Sequence, residues 1–215
     1  MSKKIKIVPS ILVKNKDGFK RQLDKIKNIS KYIQIDIMDG VLVSTKNSVS
    51  PKSISPLTRG YKMEIHLMVK DVPRYIEQWK KLSNVKKIIW HYEAEKNNKA
   101  IIYLAKKLRK NKIKPGLAIN PNTSLSKIKD IIKYFDTIQV MGVTPGKQGQ
   151  KFQPKVLKKI KGLHQKYPKL NIAIDGGVNE KNFSAIKKAG ANIIGLGSYL
   201  QKSPDPKQSL KKLPR

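Results

Sequence analysis

Tyr32-Ile33-Gln34-Ile35-Asp36-Ile37-Met38-Asp39-Gly40 is the stretch that sets the fold. In an extended chain Ile33, Ile35 and Ile37 point to one side, and Gln34, Asp36 and Met38 to the other. That period of two marks a β-strand. One face is apolar, but the other carries an ionisable group where a sheet filler would carry a hydrophobe. Burying an unpaired carboxylate is costly, so Asp36 needs a partner such as a metal, a cation or a substrate. A solvent-facing Asp on an edge strand is the plainer alternative.

Outward from this stretch, apolar strand-like runs alternate with helical patterns. Strands are predicted at 5–9, 32–38, 62–69, 86–91, 113–119, 137–141, 171–175 and 192–197. Helices are predicted at 17–29, 73–82 with Pro in the first turn, 97–110, 124–133 with Ser or Thr as cap, 154–166 and 180–189. A short tail helix follows, and 41–56 reads as irregular with one short helical turn. Strands that alternate with helices run parallel through right-handed crossovers. Eight such units suit a closed (β/α)8 barrel, the TIM barrel, better than an open doubly wound sheet. An open sheet would more often carry Gly-x-Gly-x-x-Gly after its first strand, where this chain has Pro9-Ser10-Ile11. No linker or low-complexity segment interrupts the pattern, so residues 1–215 are expected to form one domain.

A chain of 215 residues can bury one sizeable core. It has no run of 18 or more apolar residues, the length of a membrane span. Lys6 and Pro9 interrupt any signal-peptide core in the basic N-terminal stretch. The absence of cysteine excludes disulfides and thiolate metal sites and is compatible with the reducing cytoplasm, the expected location. The formal charge of +33 allows nucleic acid, an anionic surface or anionic substrates as partners. Only 5 of the 47 basic residues are arginine, the residue that reads bases and forks onto phosphates. The lysines are also spread over every predicted helix. Both facts favour a solvated lysine surface over a nucleic-acid arm, with a positive field that would help recruit a phosphorylated metabolite.

In such barrels function collects at the carboxyl ends of the strands. Those ends carry Ser10, Asp36 with Met38, His66 with Met68, His91, Asn120, Met141, Asp175 and Gly197-Ser198. Asp36 and Asp175 fall on the second and seventh strands, which can face each other across the mouth. Two opposed carboxylates can take a proton from one face of a carbon and return one to the other. Inverting a stereocentre next to a carbonyl requires that. His66 could ligate a divalent ion that stabilises an enediolate; a core imidazole bonded to a neighbour accounts for it equally well. Thr144-Pro145-Gly146-Lys147-Gln148-Gly149-Gln150, Asp175-Gly176-Gly177 and Gly197-Ser198 follow the last three strands. Loops there commonly hold phosphate on backbone N–H groups, and glycine lets the backbone come close.

Taken together, these stretches resemble the ribulose-phosphate 3-epimerase family over essentially the full length. The matching segments are Pro9-Ser10-Ile11-Leu12, Asp36-Ile37-Met38-Asp39-Gly40, His66-Leu67-Met68-Val69, His91-Tyr92-Glu93 and Gly116-Leu117-Ala118-Ile119-Asn120-Pro121. Val140-Met141-Gly142-Val143-Thr144-Pro145-Gly146, Gly149-Gln150-Lys151-Phe152, Asp175-Gly176-Gly177-Val178, Ala189-Gly190-Ala191 and Gly197-Ser198 continue it. The resemblance implies a barrel of the ribulose-phosphate-binding type. It also implies an epimerase with one divalent ion (Zn, Mn, Fe or Mg) that interconverts D-ribulose 5-phosphate and D-xylulose 5-phosphate through a 2,3-enediolate. Asp36 and Asp175 would be the acid/base pair and metal ligands, with His66 a third ligand. Ser10 would contact substrate, and Met38, Met68 and Met141 would line the intermediate, although barrel filling suits Met as well. Gly146, Lys147, Gln148 and Gly149, with Gly176, Gly177, Gly197 and Ser198, would hold the phosphate.

Three departures stand out. Gln34 occupies the position of a family His that ligates the metal. An amide oxygen is a harder and weaker donor than imidazole, which would lower zinc affinity and tilt preference toward Mn or Mg. Whether Gln34 ligates at all stays open. Val41-Leu42-Val43-Ser44-Thr45 replaces His-Phe-Val-Pro-Asn in the loop over the substrate, which leaves room for another ketose phosphate such as allulose 6-phosphate. Gly146-Lys147-Gln148-Gly149 replaces Gly-Phe-Gly-Gly, with Lys147 as an added phosphate contact. A catalytically weak phosphosugar-binding paralogue and a basic nucleic-acid-binding protein are the remaining alternatives, and a homo-oligomer is compatible with all of them.

Overall fold

Eight strands close a barrel in chain order, each parallel to its neighbours. They are β1 (Lys6–Ile11), β2 (Tyr32–Met38), β3 (Lys62–Met68), β4 (Val85–His91), β5 (Lys114–Ile119), β6 (Thr137–Met141), β7 (Asn171–Asp175) and β8 (Ile193–Leu196). The structure is a computed structural model that describes residues 4–95, 97–147 and 149–214. Gln148, assigned to the phosphate loop from sequence, lies outside those residues. The (β/α)8 expectation is borne out.

Register carries the alternation of β2 into three dimensions. Gln34 pairs with Glu64, Asp36 with His66 and Met38 with Met68. Ile33, Ile35, Ile37, Ile65 and Leu67 join the hydrophobic layer shared with the helices. The edge-strand alternative for Asp36 is therefore overturned: β2 is paired on both sides, and Asp36 is 6% exposed.

The helices that clothe the barrel are α1 (Lys16–Ile26), α2 (Pro51–Ile54), α3 (Val72–Trp79), α4 (Asn98–Lys110), α5 (Val156–Lys166), α6 (Glu180–Ala189), α7 (Ser198–Gln201) and α8 (Pro206–Lys212). All but α5 and α7 begin at a capping side chain. Asn15, Asp71, Asn97 and Asn179 each accept a first-turn N–H, which supplies acceptors to groups that would otherwise be orphaned. The helix expected at 124–133 is not formed. Two short 3₁₀ turns, Leu125–Lys127 and Ile132–Tyr134, stand there instead. Leu125, Ile128 and Ile131 recur every three residues, the 3₁₀ period, and the bonds Ile128 N to Leu125 O and Ile131 N to Ile128 O follow it. Among the described residues, no helix is long and apolar enough to cross a membrane.

The floor of the barrel holds an ion cluster that the strand-end reading did not anticipate. Glu64, 1% exposed, pairs with Lys87 Nζ at 3.1 Å and accepts from Lys6 Nζ at 3.4 Å. Lys6 also sits 3.0 Å above the Tyr32 ring. Burial and the Glu64 charge push the Tyr32 phenol up.

Candidate active site

The carboxyl ends of β2, β3 and β7 bring Asp36, His66 and Asp175 together. One potential ligand atom from each lies within 4.8 Å of the others, and all three residues are buried. His66 Nδ1 is 2.9 Å from Asp36 Oδ1 and 3.4 Å from Asp175 Oδ2. Gln34, one pleat below Asp36, turns its amide nitrogen upward and donates to Asp36 Oδ1 at 2.9 Å and Asp175 Oδ2 at 2.7 Å. Gln139 on β6 adds a longer contact to Asp175 Oδ2 at 3.4 Å. On β8, Gly195 leaves the carboxylate its space, because a Cβ there would stand 3.1 Å from Asp175 Oδ1.

The two carboxylates are not electrostatically equal. Burial pushes the Asp36 carboxyl up, and the Asp175 charge adds to this against hydrogen bonds from His66 and Gln34. Burial acts on Asp175 in the same direction, but the hydrogen bond and charge of His66, with the Gln34 amide, hold it below the usual range. Burial would lower His66, yet hydrogen bonds to both carboxylates and their charges raise it to about 9. A pair split in this way presents one group suited to hold a proton and one suited to take it.

Above the triad opens a cleft. Ser10, Met68 and Met141 line its wall. Gly146, Lys147, Gly149, Gly176, Gly177, Gly197 and Ser198 also line it, so three separate glycine-bearing loops border the cleft. Gly177 cannot be replaced without movement: its φ is +71°, and a Cβ would lie 2.8 Å from the backbone N of Phe152. Met38 is the exception. It is 3% exposed and faces a neighbouring depression with Leu12 and Thr45 rather than this cleft.

Comparison with known proteins now bears directly on the chain. A sequence model of the ribulose-phosphate 3-epimerase family matches residues 6–201. The ribulose-phosphate 3-epimerase of Schizosaccharomyces pombe is 31% identical, with 94% of this chain and 90% of that protein covered. Those of Helicobacter pylori strain 26695 (31% identical, 97% and 96% covered) and Synechocystis (31% identical, 95% and 91% covered) are alike to a similar degree. The chain belongs to the ribulose-phosphate 3-epimerase family.

Among solved structures, a tryptophan synthase complex from Pyrococcus furiosus aligns with a TM-score of 0.71 at 16% identity, covering 99% of both chains. A 3-hexulose-6-phosphate synthase aligns with a TM-score of 0.66 at 12% identity, covering 97% of this chain and 98% of that one. At such identities the likeness speaks for the barrel alone.

For a member of the ribulose-phosphate 3-epimerase family, the donor set can be tested against a divalent ion. Two carboxylates and an imidazole within 4.8 Å of one another are hard and borderline donors that suit Zn, Mn, Fe or Mg. The buried surplus of negative charge favours a cation between them. Gln34 is a different matter. As it stands, its N–H₂ group faces the carboxylates as a donor, and only a half-turn of the amide would offer Oε1 instead. The triad fits the ion, and Gln34 fits it only after that turn.

Sequence reasoning missed several residues that shape this site. Gln139 breaks the apolar pattern of Thr137-Ile138-Gln139-Val140-Met141 just as Asp36 breaks that of β2, so the signal was present in its phase. Asn47 donates to Asp36 O at 2.8 Å and accepts from Met38 N at 3.2 Å, pinning the loop after β2 to the strand. Gln150 donates to Thr144 O at 2.6 Å and Lys147 O at 2.9 Å, tying together the loop after β6. Neither loop contact has a periodic signature.

Proposed function

We propose that the protein is a metal-dependent epimerase that inverts C3 of a ketose phosphate, converting D-ribulose 5-phosphate to D-xylulose 5-phosphate. The observation that carries this reading is the pair Asp36 and Asp175, buried, unequal in proton affinity, and opening on a cleft lined by glycine-bearing loops. The phosphate would rest on the backbone of Gly146, Gly149, Gly176, Gly177, Gly197 and Ser198, with Lys147 beside it and Ser10 on the sugar. Anchored there, the chain of the sugar would run back toward the triad.

One aspartate takes the proton from C3 while the other delivers a proton to the opposite face of the enediolate. For the reverse reaction they exchange roles. Met68 and Met141 present polarizable, apolar surface over the planar intermediate and keep water from protonating it unselectively. A divalent ion held by Asp36, His66 and Asp175 would stabilise the negative charge on the enediolate oxygens. Asp36, His66 and Asp175 are thus proposed as metal ligands, with Gln34 as a fourth only if its amide turns.

The test is epimerisation of ribulose 5-phosphate by protein stripped with a chelator and then resupplied with Zn, Mn, Mg or Fe(II). Loss on stripping and recovery with an ion supports the reading; absence of epimerisation with every ion rejects it. A second substrate is favoured by one contact. Val43 of the altered loop packs over Gly146, whose Cβ would stand 3.1 Å from that of Val43, so this loop helps shape the phosphate end. A higher kcat/KM on allulose 6-phosphate than on ribulose 5-phosphate would move the assignment to that sugar.

A further inference from the structure

We infer that His91 and Glu93 are positioning residues: they fix the tautomer of His66, so that its Nε2 carries the proton and its Nδ1 faces the two carboxylates as the metal-ligating atom. The inference rests on the epimerase reading and deepens it. It starts from a chain of contacts leading away from the cleft, which the proposed proton transfers do not use.

Glu93 is held at the outer end. Its Oε1 accepts from the backbone N of Asn120 at 3.0 Å and from the Thr123 hydroxyl. Its Oε2 lies 3.4 Å from His91 Nδ1. Although burial opposes it, hydrogen bonds from His91, Thr123 and the Asn120 backbone hold its carboxyl down at about 2, so it is an anion at any working pH. A carboxylate only accepts, and His91 Nδ1 must therefore bear a proton.

The next link is His91 Nε2, 2.9 Å from His66 Nε2. The ring planes are 22° apart and the centroids 5.1 Å apart, so the close contact runs from nitrogen to nitrogen. Two ring nitrogens bond only if one carries hydrogen and the other a lone pair. A neutral imidazole carries a single hydrogen, and the Glu93 carboxylate beside Nδ1 takes that of His91. With its single proton on Nδ1, His91 accepts at Nε2, and His66 Nε2–H is the donor. The nitrogen left over on His66 is Nδ1, the one that points at Asp36 and Asp175. His91 is 1% exposed and does not line the cleft, so this role needs no contact with substrate.

The chain has 3 histidines, so a long-range ¹H–¹⁵N spectrum of the zinc-loaded protein contains only the imidazoles of His66, His91 and His164. Protons on His91 Nδ1 and His66 Nε2 support the inference. A His66 proton on Nδ1, or a His91 proton on Nε2, overturns it. Zinc dissociation constants by chelator competition give the second reading. Glu93→Ala and His91→Phe should each weaken zinc binding by about 10- to 100-fold, and Glu93→Asp should restore most of the loss. Unchanged affinity in both variants overturns the inference. Should His91→Phe fail to fold, Glu93→Ala and the spectrum of the unaltered chain still decide. If the unaltered chain neither binds an ion nor epimerises, the functional reading fails with it; if it does both and the tautomers disagree, this inference alone fails.

Discussion

At the amino ends of the strands one carboxylate, Glu64, meets two ammonium groups, Lys87 at 3.1 Å and Lys6 at 3.4 Å. At the carboxyl ends two carboxylates, Asp36 and Asp175, meet one imidazole, His66, at 2.9 and 3.4 Å. Both clusters lie inside the same barrel, and Glu64, Asp36 and Asp175 are 1%, 6% and 7% exposed. Their balance is opposite. The floor has its cations built in, and the side chain of Lys6, 39% exposed, reaches water. The mouth has two carboxylates to one imidazole, with neutral amides from Gln34 and Gln139 beside them, and it opens on a cleft. A buried charge in a barrel is thus informative through what it lacks. The floor balances its carboxylate with cations of its own, whereas the mouth gathers an Asp-His-Asp group that could hold a metal ion.

The largest effects should separate the two ends. Asp36→Asn or Asp175→Asn should lower kcat for ribulose 5-phosphate epimerisation by about 10³-fold or more, while circular dichroism shows a folded barrel. Near-normal rates would remove the two-base mechanism. At the floor, Glu64→Gln leaves Lys87 buried with no anion. Loss of one partner of a buried pair costs about 3 kcal/mol or more, to be read from urea unfolding. The kcat per folded molecule should not change. A Glu64→Gln protein of full stability and poor turnover would reverse the division of labour drawn here.

How much of this division could be read in advance follows from what each feature depends on. The barrel was legible because strand periodicity survives in a one-dimensional string, and Asp36 stood out because it breaks that periodicity. The meeting of Asp36, His66 and Asp175 was legible through one rule, that strand ends converge at the mouth. The floor was not. Lys6, Tyr32, Glu64 and Lys87 belong to four different strands, and each alone reads as a surface residue. The direction of the Gln34 amide was equally hidden, since it depends on two carboxylates 2 and 141 residues away. Met38 has the phase of Asp36 but sits beyond it, beside a neighbouring depression where its backbone N–H donates to Asn47. The 3₁₀ turns at 125–134 show how a spacing of three, read loosely, passes for an α-helix.

A smaller effect sharpens the view of the mouth. Gln34→His replaces a donor that faces the carboxylates with an imidazole that can face a cation. If position 34 belongs to the ligand sphere, zinc affinity should rise by roughly tenfold, about 1.4 kcal/mol, in competition with a chromogenic chelator. Unchanged affinity would mean that Gln34 only braces the carboxylates, as it does when its amide nitrogen points at them.

The smallest effect concerns charge at the rim rather than in the interior. Lys147 lines the cleft but is exposed, and an exposed ion pair contributes up to about 1 kcal/mol. Lys147→Ala should therefore raise KM for the sugar phosphate by no more than about fivefold and leave kcat alone, since the lysine touches neither aspartate in the proposed mechanism. The loop should keep its shape in the variant, because Gln150 holds it through the backbone oxygens of Thr144 and Lys147. Screening gives the control. The Debye length falls from about 10 Å at 0.1 M salt to about 3 Å at 1 M, so the KM gap between the two proteins should narrow as salt is added. A gap that persists at high salt, or a fall in kcat, would place Lys147 against the phosphate in a dry contact and make the rim a third region where charge is buried on binding.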